Sequence, residues 1–235
     1  MEILSCSQNN INALMEEIEN YFFCGCSQKE VIKKIFLEEI GNEEDYKIFE
    51  KELRVINDKL LKDLDFFFES DPAAENKEVI IAAYPGFKAV TYYRVAHAIY
   101  ELGNKVAARV ISERAHFLTS IDIHPGAEIG CPFFIDHGTG IVIGETAIVG
   151  NNVKLYQGVT LGALSLSQGQ KLKGTKRHPT IGNNVTIYSN ASILGGEVTI
   201  GDNVVIGGNV YLTSSIPDNY KVLLPKPELI LIKKK

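Results

Sequence analysis

The chain is poor in cysteine, has no long apolar run and carries no dense block of positive charge, and each shortage removes a class of function. Four cysteines in 235 residues, at positions 6, 24, 26 and 131, are too few and too irregular for a disulfide scaffold. Cys24-Gly-Cys26 lacks the second pair that a tetrahedral zinc site needs, so the four read as reduced structural thiols. No stretch approaches the roughly 20 apolar residues that span a bilayer. The start, Met1-Glu-Ile-Leu-Ser-Cys6, lacks the basic-then-apolar order of a signal peptide. A soluble, cytoplasmic protein is expected. Acids outnumber bases 29 to 24, and no basic segment is long enough to neutralise several phosphates, which disfavours nucleic acid as a partner. Lys233-Lys234-Lys235 reads as a solvated tail.

What remains is a globular composition with 45% hydrophobic residues, arranged with two different periods. Residues 1–120 are expected to be all-helical. Ile11, Leu14, Met15, Ile18 and Phe22 recur at three- and four-residue spacing on one stripe. Ser27-Gln-Lys-Glu30 matches a capping box ahead of Val31, Ile32, Ile35 and Phe36. A longer helix is expected over 43–68, ending before Ser70-Asp71-Pro72, because proline disfavours helical backbone in the residue before it. Further helices are expected at about 86–102 and 104–119, with Pro85 in a first turn and Gly103 at the break.

From residue 121 the period becomes six. Aliphatic residues recur at Ile123, Ile129, Ile135, Ile143, Val149, Leu155, Leu161, Ile181, Ile187, Ile193, Ile200 and Ile206. The step is stretched by two after Ile135 and by one after Ile193, and an excursion interrupts it between about 163 and 179. Glycine follows the aliphatic position at 130, 144, 150, 162, 182, 201 and 207, and the fifth position is often small or β-branched, as at Ala127, Thr139, Ala147 and Val153. A period of six is neither that of an amphipathic helix nor that of a hairpin strand. It suits a triangular parallel solenoid over 121–216, with the aliphatic residue inward and glycine relieving the turn, followed by a tail at 217–235.

The solenoid alone does not name a function. The residues between its repeats are more specific. Asp122-Ile-His124-Pro125 through Ile135-Asp136-His137-Gly-Thr-Gly140, then Ile143-Gly-Glu145-Thr-Ala147, Gly158-Val-Thr-Leu-Gly162 and Lys176-Arg177-His178-Pro179, resemble the signature of bacterial and plant serine O-acetyltransferases. Ser70-Asp71-Pro72, Tyr84-Pro-Gly-Phe87 and Tyr93-Arg94-Val-Ala-His97 resemble the helical segment that precedes the β-helix in that family, and the similarity covers about 70–216.

The resemblance implies a left-handed parallel β-helix of hexapeptide repeats behind the helical domain. It implies acetyl transfer from acetyl-CoA, as co-substrate and without a metal, to the hydroxyl of L-serine, the first step of cysteine biosynthesis. His137 would be the general base, since an imidazole can accept a proton near neutral pH. Asp122 would orient the imidazole, although hexad counting places the two residues three positions apart on one side of the prism. Asp71 and Asp136 would hold the substrate ammonium, and Arg177 and His178 would face its carboxylate and hydroxyl. That division matches a free amino acid, which carries opposite charges a few ångströms apart. Gly162, Ala163 and Ser189 would contact the coenzyme, and lysines of the excursion Leu164–Lys176 would meet its phosphates.

Hexad counting puts His137 and His178 on different sides of the prism, so a neighbouring chain is expected to join them in a homotrimer, or in a dimer of trimers. Two departures from the family stand out. Leu223-Leu224-Pro225-Lys226 replaces the Gly-Val-Pro-Ala stretch common in relatives, and Ile232 is followed by lysines where many relatives end in isoleucine. A complex with O-acetylserine sulfhydrylase is therefore expected to be weak or absent. Homoserine remains an alternative acceptor, because one methylene is worth only about 1–3 kcal/mol. A sugar acceptor would not need two amine-binding carboxylates. A zinc carbonic anhydrase would need three convergent imidazoles, whereas His124, His137 and His178 contain no close pair.

Overall fold

The computed structural model describes residues 7–25, 28–165, 167–226, 228 and 230–233. Cys6, Cys26, Ser27 with its capping box, and Lys234–Lys235 lie outside the described residues. The described part opens with six α-helices and continues into fourteen short strands. Helix α1 (Gln8–Glu19) runs into a π-turn at Asn20–Cys24, and buries Ile11, Leu14, Met15 and Ile18 as their spacing requires. Helix α2 (Lys29–Glu39) follows, then α3 (Glu43–Ser70), two residues longer than the proline rule suggested. Asn42 starts α3 with a capping box, its side chain bonding the Asp45 amide while the Asp45 carboxylate bonds back. The short α4 (Lys77–Ala83) was not foreseen, being only two turns long. Helices α5 (Pro85–Glu101) and α6 (Lys105–Thr119) meet at Gly103, whose φ of +94° breaks the run.

The strands form three parallel sheets, the faces of a prism. Face 1 holds β1 (Asp122–Ile123), β4 (Val142–Ile143), β7 (Thr160–Gly162), β10 (Ser192–Leu194) and β13 (Tyr211–Leu212). Face 2 holds β2 (Glu128–Ile129), β5 (Ile148–Val149), β8 (Thr180–Ile181) and β11 (Thr199–Ile200). Face 3 holds β3 (Phe133–Asp136), β6 (Val153–Tyr156), β9 (Thr186–Ile187), β12 (Val205–Ile206) and β14 (Lys221–Val222). Every aliphatic residue of the six-residue repeat is buried, and register pairs such as Ile143 with Leu161 stack them coil on coil. Each such side chain contributes roughly 1.5–3 kcal/mol by leaving water. The solenoid does not stop at 216, because β14 pairs with β12 within the expected tail.

Two details differ from the repeat reading. Thr139 is exposed, and Ile141 fills the interior instead, because the two-residue stretch after Ile135 shifts that corner. The repeat glycines do not supply positive φ; asparagines at 152, 184, 190, 203, 209 and 219 do. The glycines are needed for close approach. A Cβ on Gly130 would lie 2.7 Å from the Gly150 carbonyl oxygen, and one on Gly150 would lie 2.6 Å from that of Gly182.

One hydrophobic core runs from the solenoid interior into α3 and α5, and a second joins α1, α2, α5, α6 and the first half of α3. The helices are keyed to the first coil by buried polar bonds. Arg94 donates from Nε and Nη2 to the Asp63 carboxylate at 2.6 and 2.8 Å, and Nη2 also reaches the Gly130 carbonyl at 3.1 Å. Asp63 accepts from the Phe133 amide at 2.9 Å. The Tyr93 hydroxyl donates to the Ala127 carbonyl at 2.6 Å and accepts from the Ile129 amide at 3.0 Å. No helix among the described residues is long and apolar enough to cross a membrane.

Candidate active site

The expected site residues gather at two different corners of the prism. At the corner between faces 3 and 1, the stretch after Ile135 makes His137 (φ 57°) and Gly138 (φ 80°) left-handed in succession. Gly138 cannot carry a side chain, since a Cβ would lie 2.3 Å from Ile121. The tight turn leaves the His137 side chain 70% exposed, with Nε2 3.6 Å from Asp136 Oδ1.

Asp71 reaches the same corner from the end of α3. Its Oδ1 accepts from the Ala73 amide at 2.8 Å and its Oδ2 from the Tyr84 hydroxyl at 2.5 Å. That bond, then burial and the charges of Asp71 and Asp136, pushes the Tyr84 phenol up to about 12. Tyr156, opposite Asp136 in the β3–β6 register, is raised by burial first and then by Asp136, Tyr188 and Asp71. Asp71 and Asp136 thus bear on the same two phenols. Tyr156 stacks on Tyr188 with ring centroids 5.0 Å apart. The result is an anionic, aromatic-walled patch beside an accessible imidazole.

The other corner, between faces 1 and 2, carries the opposite equipment. The excursion from 163 to 179, with a short 3₁₀ turn at Gly169–Leu172, returns here as Lys176-Arg177-His178-Pro179. Arg177 donates from Nη2 to Glu145, whose carboxyl is held below its usual range mainly by that bond. The Tyr100 hydroxyl donates to the other Glu145 oxygen at 3.3 Å. His178 is buried, and burial together with the Arg177 and Lys176 charges lowers its pKa to about 4. His124 lies among the same groups; burial and Arg109 lower its pKa, while Glu145 and Asp122 oppose them.

Asp122 lies on face 1, and its charge is among those acting on His124. It opens β1 in register with Val142, five residues past His137, and its Oδ1 lies 3.8 Å from Arg109 Nη1. Hexad counting misplaced the pair because the extra two residues after Ile135 carry His137 around the corner. Within one chain the structure does not bring Asp122 to His137, nor His178 to His137. It does not unite the coenzyme residues either. Gly162 and Ala163 begin the excursion at the second corner, whereas Ser189 stands at the first, where its carbonyl accepts from the Asn209 amide at 2.9 Å. Lys176 is not free for phosphates, because its ammonium donates to the carbonyls of Thr146 at 2.7 Å, Pro179 at 3.2 Å and His178.

Sequence reasoning passed over Tyr84, Glu145 and Thr146 as working residues, although each stood inside a quoted motif. Among the described residues, the group able to reach one metal ion is Glu113, His116 and Asp122, and the Arg109 guanidinium already contacts both of its carboxylates.

The family profile "Bacterial transferase hexapeptide (six repeats)" matches residues 178–214. Serine acetyltransferase 1 of Entamoeba histolytica, solved in complex with L-cysteine, superposes with a TM-score of 0.76 and 34% identity over 93% of this chain and 87% of that one. This chain belongs to the serine acetyltransferase family. The family member from Brucella abortus strain S19, solved in complex with coenzyme A, superposes with a TM-score of 0.71 and 28% identity, over 92% of this chain and 80% of that one. The plasmid serine acetyltransferase of Synechococcus elongatus is 48% identical over 143 residues, covering 60% of this chain and 45% of that protein. The chain matches about half the length of such curated relatives. Its helical segment and left-handed hexapeptide β-helix are those of the family.

Proposed function

We propose that this chain transfers the acetyl group of acetyl-CoA to the hydroxyl of L-serine, releasing O-acetyl-L-serine and coenzyme A, in sites shared by neighbouring chains of a homotrimer. One observation carries the proposal: an anionic corner with an exposed imidazole and a cationic corner with a neutral one lie on the same β-helix, facing different ways. Each is half of an amino-acid site. Joined across an interface, Asp71 and Asp136 of one chain take the ammonium group, while Arg177 and His178 of the next take the carboxylate and hydroxyl oxygens.

His137 then removes the hydroxyl proton as the serine oxygen attacks the thioester carbonyl. The C–S bond breaks, and the imidazolium returns the proton to the departing thiolate. Asp122, also from the next chain, stabilises the imidazolium. Gly162 and Ala163, at the root of the excursion, and Ser189, on the His137 corner, border the coenzyme; they too meet only between chains. The family name and the Brucella relative's coenzyme A complex support this assignment of substrates.

The test is thiol release from acetyl-CoA with serine, homoserine and sugar acceptors. Serine should be used best, and turnover with a sugar but not with serine would reject the reading.

A further inference from the structure

The tripeptide Lys176-Arg177-His178 is held almost entirely by a second tripeptide one coil away, Gly144-Glu145-Thr146. Gly144 leaves room for the imidazole, since a Cβ there would lie 2.1 Å from His178 Nε2 and Cδ2. Glu145 takes the guanidinium of Arg177. Thr146 does the rest. Its Oγ1 accepts from the Arg177 amide at 2.9 Å and the His178 amide at 3.1 Å. The same oxygen lies 2.9 Å from His178 Nδ1, and the Thr146 amide donates to Nδ1 at 3.0 Å.

A hydroxyl has one proton and two lone pairs. Both lone pairs are taken by amides, so the proton must point to Nδ1. An amide can only donate, so Nδ1 must present its lone pair, and the ring proton of the neutral imidazole sits on Nε2. That nitrogen has no hydrogen-bond partner among the described residues.

We infer that Thr146 is a positioning residue which fixes both the placement of Arg177 and the Nε2–H tautomer of His178, making His178 a hydrogen-bond donor to an oxygen of the acceptor substrate and not a base. This rests on the proposed acetyl transfer to serine for the identity of that oxygen. The low pKa of His178 agrees with it, because a neutral donor is retained through the working pH range.

The experiment has two arms. In wild-type protein, ¹⁵N imidazole spectra at pH 6–8 should show a fixed Nε2–H tautomer that does not titrate and that His178→Gln removes, distinct from the signal of His124, whose Nδ1 accepts from the Gly126 amide at 3.0 Å. In steady-state kinetics, Thr146→Val keeps the shape and loses the hydroxyl. It should raise KM for serine by roughly 10- to 100-fold with KM for acetyl-CoA nearly unchanged, since small misplacements cost that much. Thr146→Ser should restore the wild-type value. An Nδ1–H tautomer, a titrating His178, or a Ser variant as impaired as the Val variant would overturn the inference. Should Thr146→Val fail to fold, the Ser variant and the wild-type spectrum still decide. If wild-type protein does not acetylate serine, the proposed function fails, while the spectra still judge Thr146.

Discussion

The proposed division of the site between chains predicts a specific recovery of activity on mixing two inactive variants. His137→Ala removes the base from the corner between faces 3 and 1 and should lower turnover by roughly 10²–10⁴. Arg177→Ala combined with His178→Ala empties the corner between faces 1 and 2. Coexpression with different affinity tags, followed by purification through both, yields only mixed trimers. In a cyclic trimer each site takes the first corner from one chain and the second from its neighbour. Whether the composition is two to one or one to two, one ordered pair of neighbours then joins two intact corners. The doubly tagged pool should therefore show about one third of wild-type turnover per trimer. This outcome follows if the proposed chemistry and trimer are right, because one chain holds His137 and His178 at different corners of the prism. Activity no higher than that of the parent variants would show that the corners do not cooperate between chains.

Other expectations concern stability and pH. Arg94→Leu leaves the buried Asp63 carboxylate without its cation, which costs about 3–5 kcal/mol. At 2–4 °C per kcal/mol for a chain of this size, Tm should fall by roughly 6–20 °C. Calorimetry should show only part of that loss recovered in the Asp63→Leu, Arg94→Leu double variant, which removes the unpaired charge but orphans the Phe133 amide and the Gly130 carbonyl, and a shift under about 2 °C in the single variant would contradict the buried-pair reading. The ordinary histidine pKa is 6.5, and His178 is lowered to about 4 when folded. The unfolded chain therefore binds more protons between these values, so its contribution to stability is complete above about 6.5 and is lost as pH falls towards about 4. Urea midpoints measured across that window should decline less in His178→Gln than in wild type.

The six-residue period was readable because it is a local property: each aliphatic residue points inward whatever lies beyond its own coil, and all of them do. The motifs were readable for a similar reason, since Asp71, Asp136, His137, Arg177 and His178 stand in segments whose order and spacing resemble the family. Partnerships across long separations were not readable. Asp63 looks like one more acid on an exposed helix until α3 meets α5 and the first coil, 31 residues from Arg94 and 70 from Phe133. The short α4 gave too little pattern to see.

The stacking of coils also decided what the repeat glycines are for. Sequence suggests glycine relieving the turn, but asparagines supply the positive φ, and Gly130 and Gly150 are needed because neighbouring coils bring backbone to within 2.6–2.7 Å of where a Cβ would be, while Gly144 makes room for the His178 ring. A two-residue stretch after Ile135, visible as an irregularity, acquired its meaning only in three dimensions, where it turns His137 out of the wall and away from Asp122. Periodicity determined the prism and its filling, because burial acts residue by residue. Which charged groups face one another was left to the tertiary structure, because that depends on how corners align across coils that the chain reaches 16 to 32 residues later.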